Sequence, residues 1–315
     1  MMAVAAGTGC KTLRRAERAD QENEAPRPGP IVTPMPGGSG ASNPIVIPEG
    51  VPSAPIATPP PVQVKVGVIL SPGGMKTFAQ LGVLREMARA RIPVHAIVGM
   101  EWGAVMAGAF ASSAQINDAE WKAFKLKENE LPAAGFLTRK LDPAGVSALR
   151  GFLDSAFGSA TVEKSKVRFA CPATKATEKG YQLGRGRIQD VVAKCLPYPP
   201  LYRENEGWFA SPFAVEDSAA WLRSQGANVI LLVNVLGPGG ILPGVSANDS
   251  TAENVLWNEI RREMLRAKAP IVNHVITVNT QAHSISDFDG RRSLMDAGQK
   301  SATEVLNKMV SQYGF

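Results

Sequence analysis

Cysteine and histidine are scarce in this chain, with three of each among 315 residues. Three cysteines, Cys10, Cys171 and Cys195, are too few for a small scaffold held together by disulfides. Neither they nor His95, His274 and His283 fall at metal-ligand spacing, so no metal and no other cofactor is expected. Long apolar runs are missing too. The longest candidate, IPVHAIVGMEWGAVMAGAF, is broken by His95 and Glu101, which excludes a membrane-spanning helix there. Charge is modest, with 34 Lys+Arg against 28 Asp+Glu and a net +6. That excess suits an anionic membrane surface or nucleic acid, or simply a solvated basic surface. Without a dense basic block interleaved with aromatics, no nucleic-acid partner is expected. SPGGMKT is glycine-containing but lacks the Gly-Lys-Ser/Thr ending of a phosphate loop. DSTAEN and DFDGRR place acids near other polar residues without the calcium-loop pattern.

What is present divides the chain in three. Residues 1–10, MMAVAAGTGC, resemble the end of a bacterial lipoprotein signal, where small residues precede a cysteine that becomes lipidated. There is no positively charged leader region, and the apolar run is short. On this reading Cys10 carries the lipid, and the protein is a membrane-anchored periplasmic lipoprotein. Residues 11–62 are polar and then dense in Pro, Gly and Ser, a composition that cannot offset the entropy of ordering and reads as a disordered, extended linker. Such a compartment is oxidising, so Cys171 and Cys195 are candidates to pair.

Residues 63–315 read as one folded domain. VQVKVGVIL, IPVHAIVG, KVRFACPAT, NVILLVNVL and NHVITVNT carry the Val/Ile-rich composition of strands. TFAQLGVLREMARA sets Phe78, Leu81, Leu84 and Met87 along one helical side. IQDVVAKCL, VEDSAAWLRSQG, TAENVLWNEIRREMLRAK and LMDAGQKSATEVLNKMVSQY also read as helices. Strand–helix alternation with short connections predicts an α/β domain whose mostly parallel sheet is flanked by helices.

One turn carries a chemical signal. In VGMEWGAV a strand ends at Gly99, a helix begins at Gly103, and Glu101 stands midway. A strand–Gly-x-x-x-Gly–helix turn is where hydrolases mount a nucleophilic serine. The block VKVGVILSPGGMKTFAQLGVLREMARARIPVHAIVGMEWGAVMAGAFAS resembles the opening of patatin-like phospholipases. In that family a glycine-rich loop, a helix containing Gly-Val-Leu and a Gly-x-Ser-x-Gly turn follow one another. Here Gly73 and Gly74 match loop glycines, Lys76 stands at an arginine position, and Gly82, Val83 and Leu84 match Gly-Val-Leu. KVRFACPATKATEKGYQLGRGRIQDVVAKCLPYPPLY, WFASPFAVEDSAAWLRSQGANVILLVNVL and ISDFDGRRSLMDAGQKSATEVL resemble later parts of the family in correct order.

The resemblance implies a patatin-like three-layer fold and lipid ester hydrolysis by a Ser–Asp dyad. This chain departs at both dyad positions. Glu101 replaces the serine, and Ala210, in Ala210-Ser211-Pro212, replaces the aspartate. The resemblance therefore implies a pseudo-hydrolase that binds a lipid, a fatty acid or a protein partner. The alternative is an active lipid acyl hydrolase with an atypical site. Three roles are open to Glu101. Its carboxylate can occupy the oxyanion loop at the Gly73 and Gly74 amides, with Lys76 as counter-charge. It can point to solvent, or it can act as an atypical nucleophile. Trp102 either fills the lipid-access groove or packs in the core. Trp121, Phe124 and Leu126 suit either an interfacial flap, aided by Lys122, Lys125 and Lys127, or an ordinary surface helix. Asp217 and Ser218, with Ser71 or Ser211, could rebuild a dyad, although neither Ser71 nor Ser211 sits on the elbow.

Overall fold

The computed structural model describes residues 63–131, 145–198, 202–238 and 252–315, with 252–254 described by backbone alone. Cys10 and the Pro-rich linker lie outside the described residues. The sheet begins with β1 (Val66–Leu70), whose five residues are all buried. α1 (Phe78–Arg89), β2 (Val94–Gly99), α2 (Trp102–Ser113) and α3 (Ile116–Ala123) follow. α4 (Arg150–Phe157), β3 (Arg168–Lys175), β4 (Tyr181–Leu183), α5 (Ile188–Cys195), β5 (Trp208–Ala210) and α6 (Val215–Ser224) form the middle of the chain. β6 (Val229–Asn234), α7 (Ala252–Arg266), β7 (His274–Thr277) and α8 (Arg291–Tyr313) complete it.

The sheet order is β4-β3-β2-β1-β6-β7, with β5 pairing to β3. β3, β2, β1, β6 and β7 run parallel, while β4 and β5 are antiparallel to β3. Period-2 alternation splits the core between the two sheet faces. Val66, Val68, Leu70, Ile97, Leu231 and Val233 pack on the side of α1, α2 and α8. Ile69, Ala96, Val98, Ile230 and Leu232 pack with Val215, Leu222, Trp257 and Ile260 on the side of α6 and α7. Strands apolar on both faces fit a sheet covered on both sides, giving three layers. α2 buries ten of its twelve residues, which explains why WGAVMAGAFASS is apolar all round.

α1 and α8 pack unusually close. A Cβ on Gly82 would overlap the Met295 carbonyl, and one on Gly298 would overlap the Ala79 carbonyl. The glycine of the Gly-Val-Leu match thus serves helix packing. Cys171 on β3 and Cys195 on α5 form a disulfide, with Cα atoms 6.0 Å apart. The short strands β4 and β5 and helix α4 were not expected from the sequence. Each strand is only three residues long, too short for a periodic signal.

Candidate active site

The chain order reverses at β1. β2 and β3 extend the sheet on one side, and β6 and β7 on the other. Crevices at such switch points, outside the carboxyl ends of parallel strands, are where α/β sheets bind ligands. Leu70 pairs with Gly99 at the ends of β1 and β2, so the segments that follow these strands emerge side by side. One is the glycine loop Ser71-Pro72-Gly73-Gly74. The other is the turn Met100-Glu101-Trp102.

The turn is tight, and its glycines are required by space. A Cβ on Gly99 would overlap the Gly103 carbonyl, and one on Gly103 would sit 2.7 Å from the Ser71 oxygen and 2.8 Å from that of Leu70. Glu101 adopts φ 51°, ψ −125°. This is a strained conformation for a residue with a side chain, worth about 1–3 kcal/mol. The Met100 amide donates to the Leu70 carbonyl at 3.0 Å, tying the turn to the end of β1.

That conformation aims the Glu101 side chain inward. Its Oε2 accepts hydrogen bonds from the Gly73 and Gly74 amides, each at 3.0 Å, and the residue has no solvent exposure. Gly74, at φ +54°, turns its amide toward the carboxyl. A Cβ there would lie 2.6 Å from the Ile285 oxygen. Among the described residues the other carboxyl oxygen, Oε1, is buried without a hydrogen-bond partner. Burial pushes the Glu101 pKa up to about 7, against a downward pull from the Gly73, Trp102 and Gly74 amides. Burial, followed by the Glu101 charge, raises the Tyr198 hydroxyl to about 12, and the same two causes hold Tyr202 above its usual range. Both tyrosines therefore lie within the electrostatic reach of the carboxyl.

Lys76 does not supply the expected counter-charge. It is fully buried, and its Nζ donates to the Thr280 carbonyl at 3.2 Å and to Thr280 Oγ1 at 3.4 Å. Among the described residues no ion pair joins it to Glu101. Burial, then the nearby Arg261, lowers its pKa to about 8. Trp102 is a core aromatic and not a groove filler, since it is 2% exposed and stacks on Phe152 with centroids 6.4 Å apart. On α3, Trp121 stays exposed with the Lys125 ammonium 3.6 Å from its ring centroid. Leu126 is buried, and Phe124 meets Phe78 edge-on at 5.4 Å, so neither belongs to a free flap. Lys122 is engaged by Asp118 and Ser112.

Ala210 ends β5, where its amide donates to the Pro197 carbonyl at 2.6 Å. Beside it opens a cleft of about 560 Å³ lined by Pro172, Tyr198, Phe209, Ser211, Phe213 and Leu256. Phe213 is nearly half exposed at its edge. Tyr198 joins the cleft to the elbow. It lines the former and feels the charge of Glu101, and among the described residues its buried hydroxyl has no partner. The Ser71 hydroxyl donates to the Pro72 carbonyl and accepts from the Val235 amide. The Ser218 hydroxyl accepts from Gln182, and Asp217 is exposed. No hydrogen bond joins Ser71, Ser211 or Ser218 to Asp217 among the described residues. His95 bonds the Gln225 carbonyl and Arg168, and His274 bonds the Tyr313 hydroxyl, so neither addresses Glu101. Sequence reasoning missed Tyr198. Its only signal was an aromatic in the proline-rich loop after α5.

Comparison with known proteins bears on the same segments. A family model described as patatin-like phospholipase matches residues 68–223, from β1 through α6. Lysophospholipase NTE1 of Coccidioides immitis (strain RS) is 26% identical over 188 residues, which cover 54% of this chain. The matched region is 11% of that relative, so the chain corresponds to about a tenth of its length. Among solved structures, VipD from Legionella pneumophila superposes with a TM-score of 0.47 at 13% identity, over 78% of this chain and 67% of that one. The type III effector ExoU gives 0.40 at 10% identity, over 79% and 53%. With the family model spanning both the glycine loop and the elbow, the segment from β1 through α6 belongs to the patatin-like phospholipase family.

Proposed function

We propose that the elbow of this protein is retired as a hydrolase site and that the domain binds a lipid, most simply a fatty acid, in the cleft beside Ala210. The observation that carries this reading is the Glu101 carboxyl oxygen, seated at 3.0 Å from both the Gly73 and Gly74 amides. Two converging amides aimed at one oxygen are what an ester hydrolase offers to the oxyanion formed during attack. Here the chain's own side chain occupies that place, and no hydroxyl stands on the turn. Glu101 is also a poor substitute nucleophile. Attack by a carboxylate on an ester would form a mixed anhydride, less stable than the ester consumed. Ala210, at the aspartate position, offers no proton acceptor.

The cleft supports a lipid occupant by its make-up. Pro172, Phe209, Phe213 and Leu256 suit an alkyl chain, and Ser211 in the same lining suits a polar head. A protein partner docking at the same mouth is the other reading of a non-hydrolytic domain. Tethering by lipidated Cys10 belongs to the same proposal. The Cys171–Cys195 disulfide supports an oxidising compartment.

Equilibrium dialysis of the full chain with radiolabelled palmitate tests the cleft. Saturable binding weakened at least tenfold by Phe213→Asp is the expected result, and no saturable binding overturns it. A panel of short- and long-chain esters tests the elbow. Turnover abolished by Glu101→Ala would restore the reading of an atypical lipid acyl hydrolase. Glu101→Ser alone is expected to add no turnover, because no base accompanies the new hydroxyl.

A further inference from the structure

The loop between β7 and α8 holds a constellation unconnected with the elbow chemistry. His283 Nδ1 lies 2.6 Å from Asp287 Oδ2, and His283 Nε2 lies 3.0 Å from Ser293 Oγ. The tautomer that suits the carboxylate carries its proton on Nδ1, leaving Nε2 as acceptor for the serine hydroxyl. This is the connectivity of a nucleophile, its base and the group that orients the base, which is recognised by geometry and not by chain order.

Several features show that this arrangement is held in place. Asp287 uses its second oxygen to accept from the Gly290 amide at 2.8 Å, which fixes the carboxylate. Gly290 has an ordinary φ of −71°, so its backbone does not require glycine. Its role is spatial, since a Cβ there would overlap both His283 Nδ1 and Asp287 Oδ2. The loop is anchored from below by the buried Lys76 ammonium on the Thr280 carbonyl and by the Met75 amide on the Ile285 carbonyl at 2.7 Å. Access is provided by Ser293, which is exposed, while the His283 and Asp287 side chains are only 13% and 28% exposed. Ser293 also stands in the first turn of α8, whose leading amides have no intrahelical acceptor and can face a developing oxyanion.

We propose that Ser293, His283 and Asp287 form a second, surface-mounted nucleophilic site that takes short-chain acyl esters. None of the three residues lines the 560 Å³ cleft, and the exposed position of Ser293 suits a short acyl group. In the first step Ser293 Oγ bonds to the ester carbonyl carbon while its proton passes to His283 Nε2. The alcohol departs with that proton. Water, deprotonated at the same nitrogen, then cleaves the acyl-serine, releasing the carboxylic acid and returning a proton to Oγ. Asp287, held by the Gly290 amide, keeps the ring oriented throughout.

The proposal is independent of how the elbow is read, and the position of a covalent label separates the two. The full chain would be treated with a biotinylated fluorophosphonate, digested and mapped by mass spectrometry. Phosphonylation of Ser293 with loss of fluoride is expected. Ser293→Ala should abolish labelling. His283→Gln, which can still bond Asp287 but cannot take the proton, should slow it about 100-fold or more with an unchanged melting midpoint. Ser286→Ala, in the same loop, should change neither rate nor midpoint. Turnover of p-nitrophenyl acetate should follow the same order. Absence of label on Ser293, labelling at another serine alone, or equal rates for parent and His283→Gln would each overturn the proposal and leave the cluster as a cap on α8.

Discussion

Replacing Glu101 by Gln tests the electrostatics of the elbow directly. The amide oxygen can accept from Gly73 and Gly74 as the carboxylate does, and the side chain keeps its shape, so what changes is the titration. In the fold the Glu101 pKa is about 7, against 4.5 for an unperturbed glutamate. As pH rises, the unfolded chain ionises first and the native chain later, so between those values the native state binds more protons. The contribution of Glu101 to stability is therefore fully present below about pH 4.5 and is lost as pH climbs through about 7. Each pH unit of that gap is worth about 1.4 kcal/mol, so the whole loss is about 3 kcal/mol. Urea unfolding of the parent and of Glu101→Gln from pH 5 to pH 8 measures it. The parent should lose about 2–3 kcal/mol relative to the variant across that range, with the two closest at the acid end. A pH-independent gap, or a parent that gains with rising pH, would mean that the glycine amides outweigh burial and keep the carboxylate fully charged.

Gly103→Ala should destabilise the domain by about 3 kcal/mol or more, because the new methyl meets backbone oxygens of Leu70 and Ser71 that flexible side chains cannot relieve. Thermal unfolding against a surface Gly→Ala control would show it. Reduction of the disulfide, which closes a loop of sequence separation 24, should cost about 3 kcal/mol, read as a lower urea midpoint in the presence of a phosphine reductant. Trp102→Ala should cost about 3–5 kcal/mol through the void left beside Phe152, a loss that a groove-lining residue would not produce.

The sheet was legible because its strands are long enough and apolar enough to speak alone. VGVIL and VILLVN are buried along their whole length, and a fully buried parallel strand needs no polar partner residues. The elbow was legible because Gly99 and Gly103 are placed by steric demand, which leaves a fixed spacing in the chain. Lys76 was misread for a physical reason. Proximity in sequence to the glycine loop suggested the nearest negative charge, whereas its long stem reaches Thr280, 204 residues away. The grouping of His283, Asp287 and Ser293 leaves no periodic trace at all. It depends on a turn whose geometry is set by the bond between Asp287 and the Gly290 amide and by the bare space over Gly290.

The reciprocal glycine seam between α1 and α8 binds an early segment of the domain to the last one. α1 cannot bury its Gly82 face without α8, so a domain lacking α8 would leave Ala79 and Gly82 wet. Loss of the last turns of α8, which carry the buried Leu306 and Met309, should thus resemble a core mutation more than a trimmed tail.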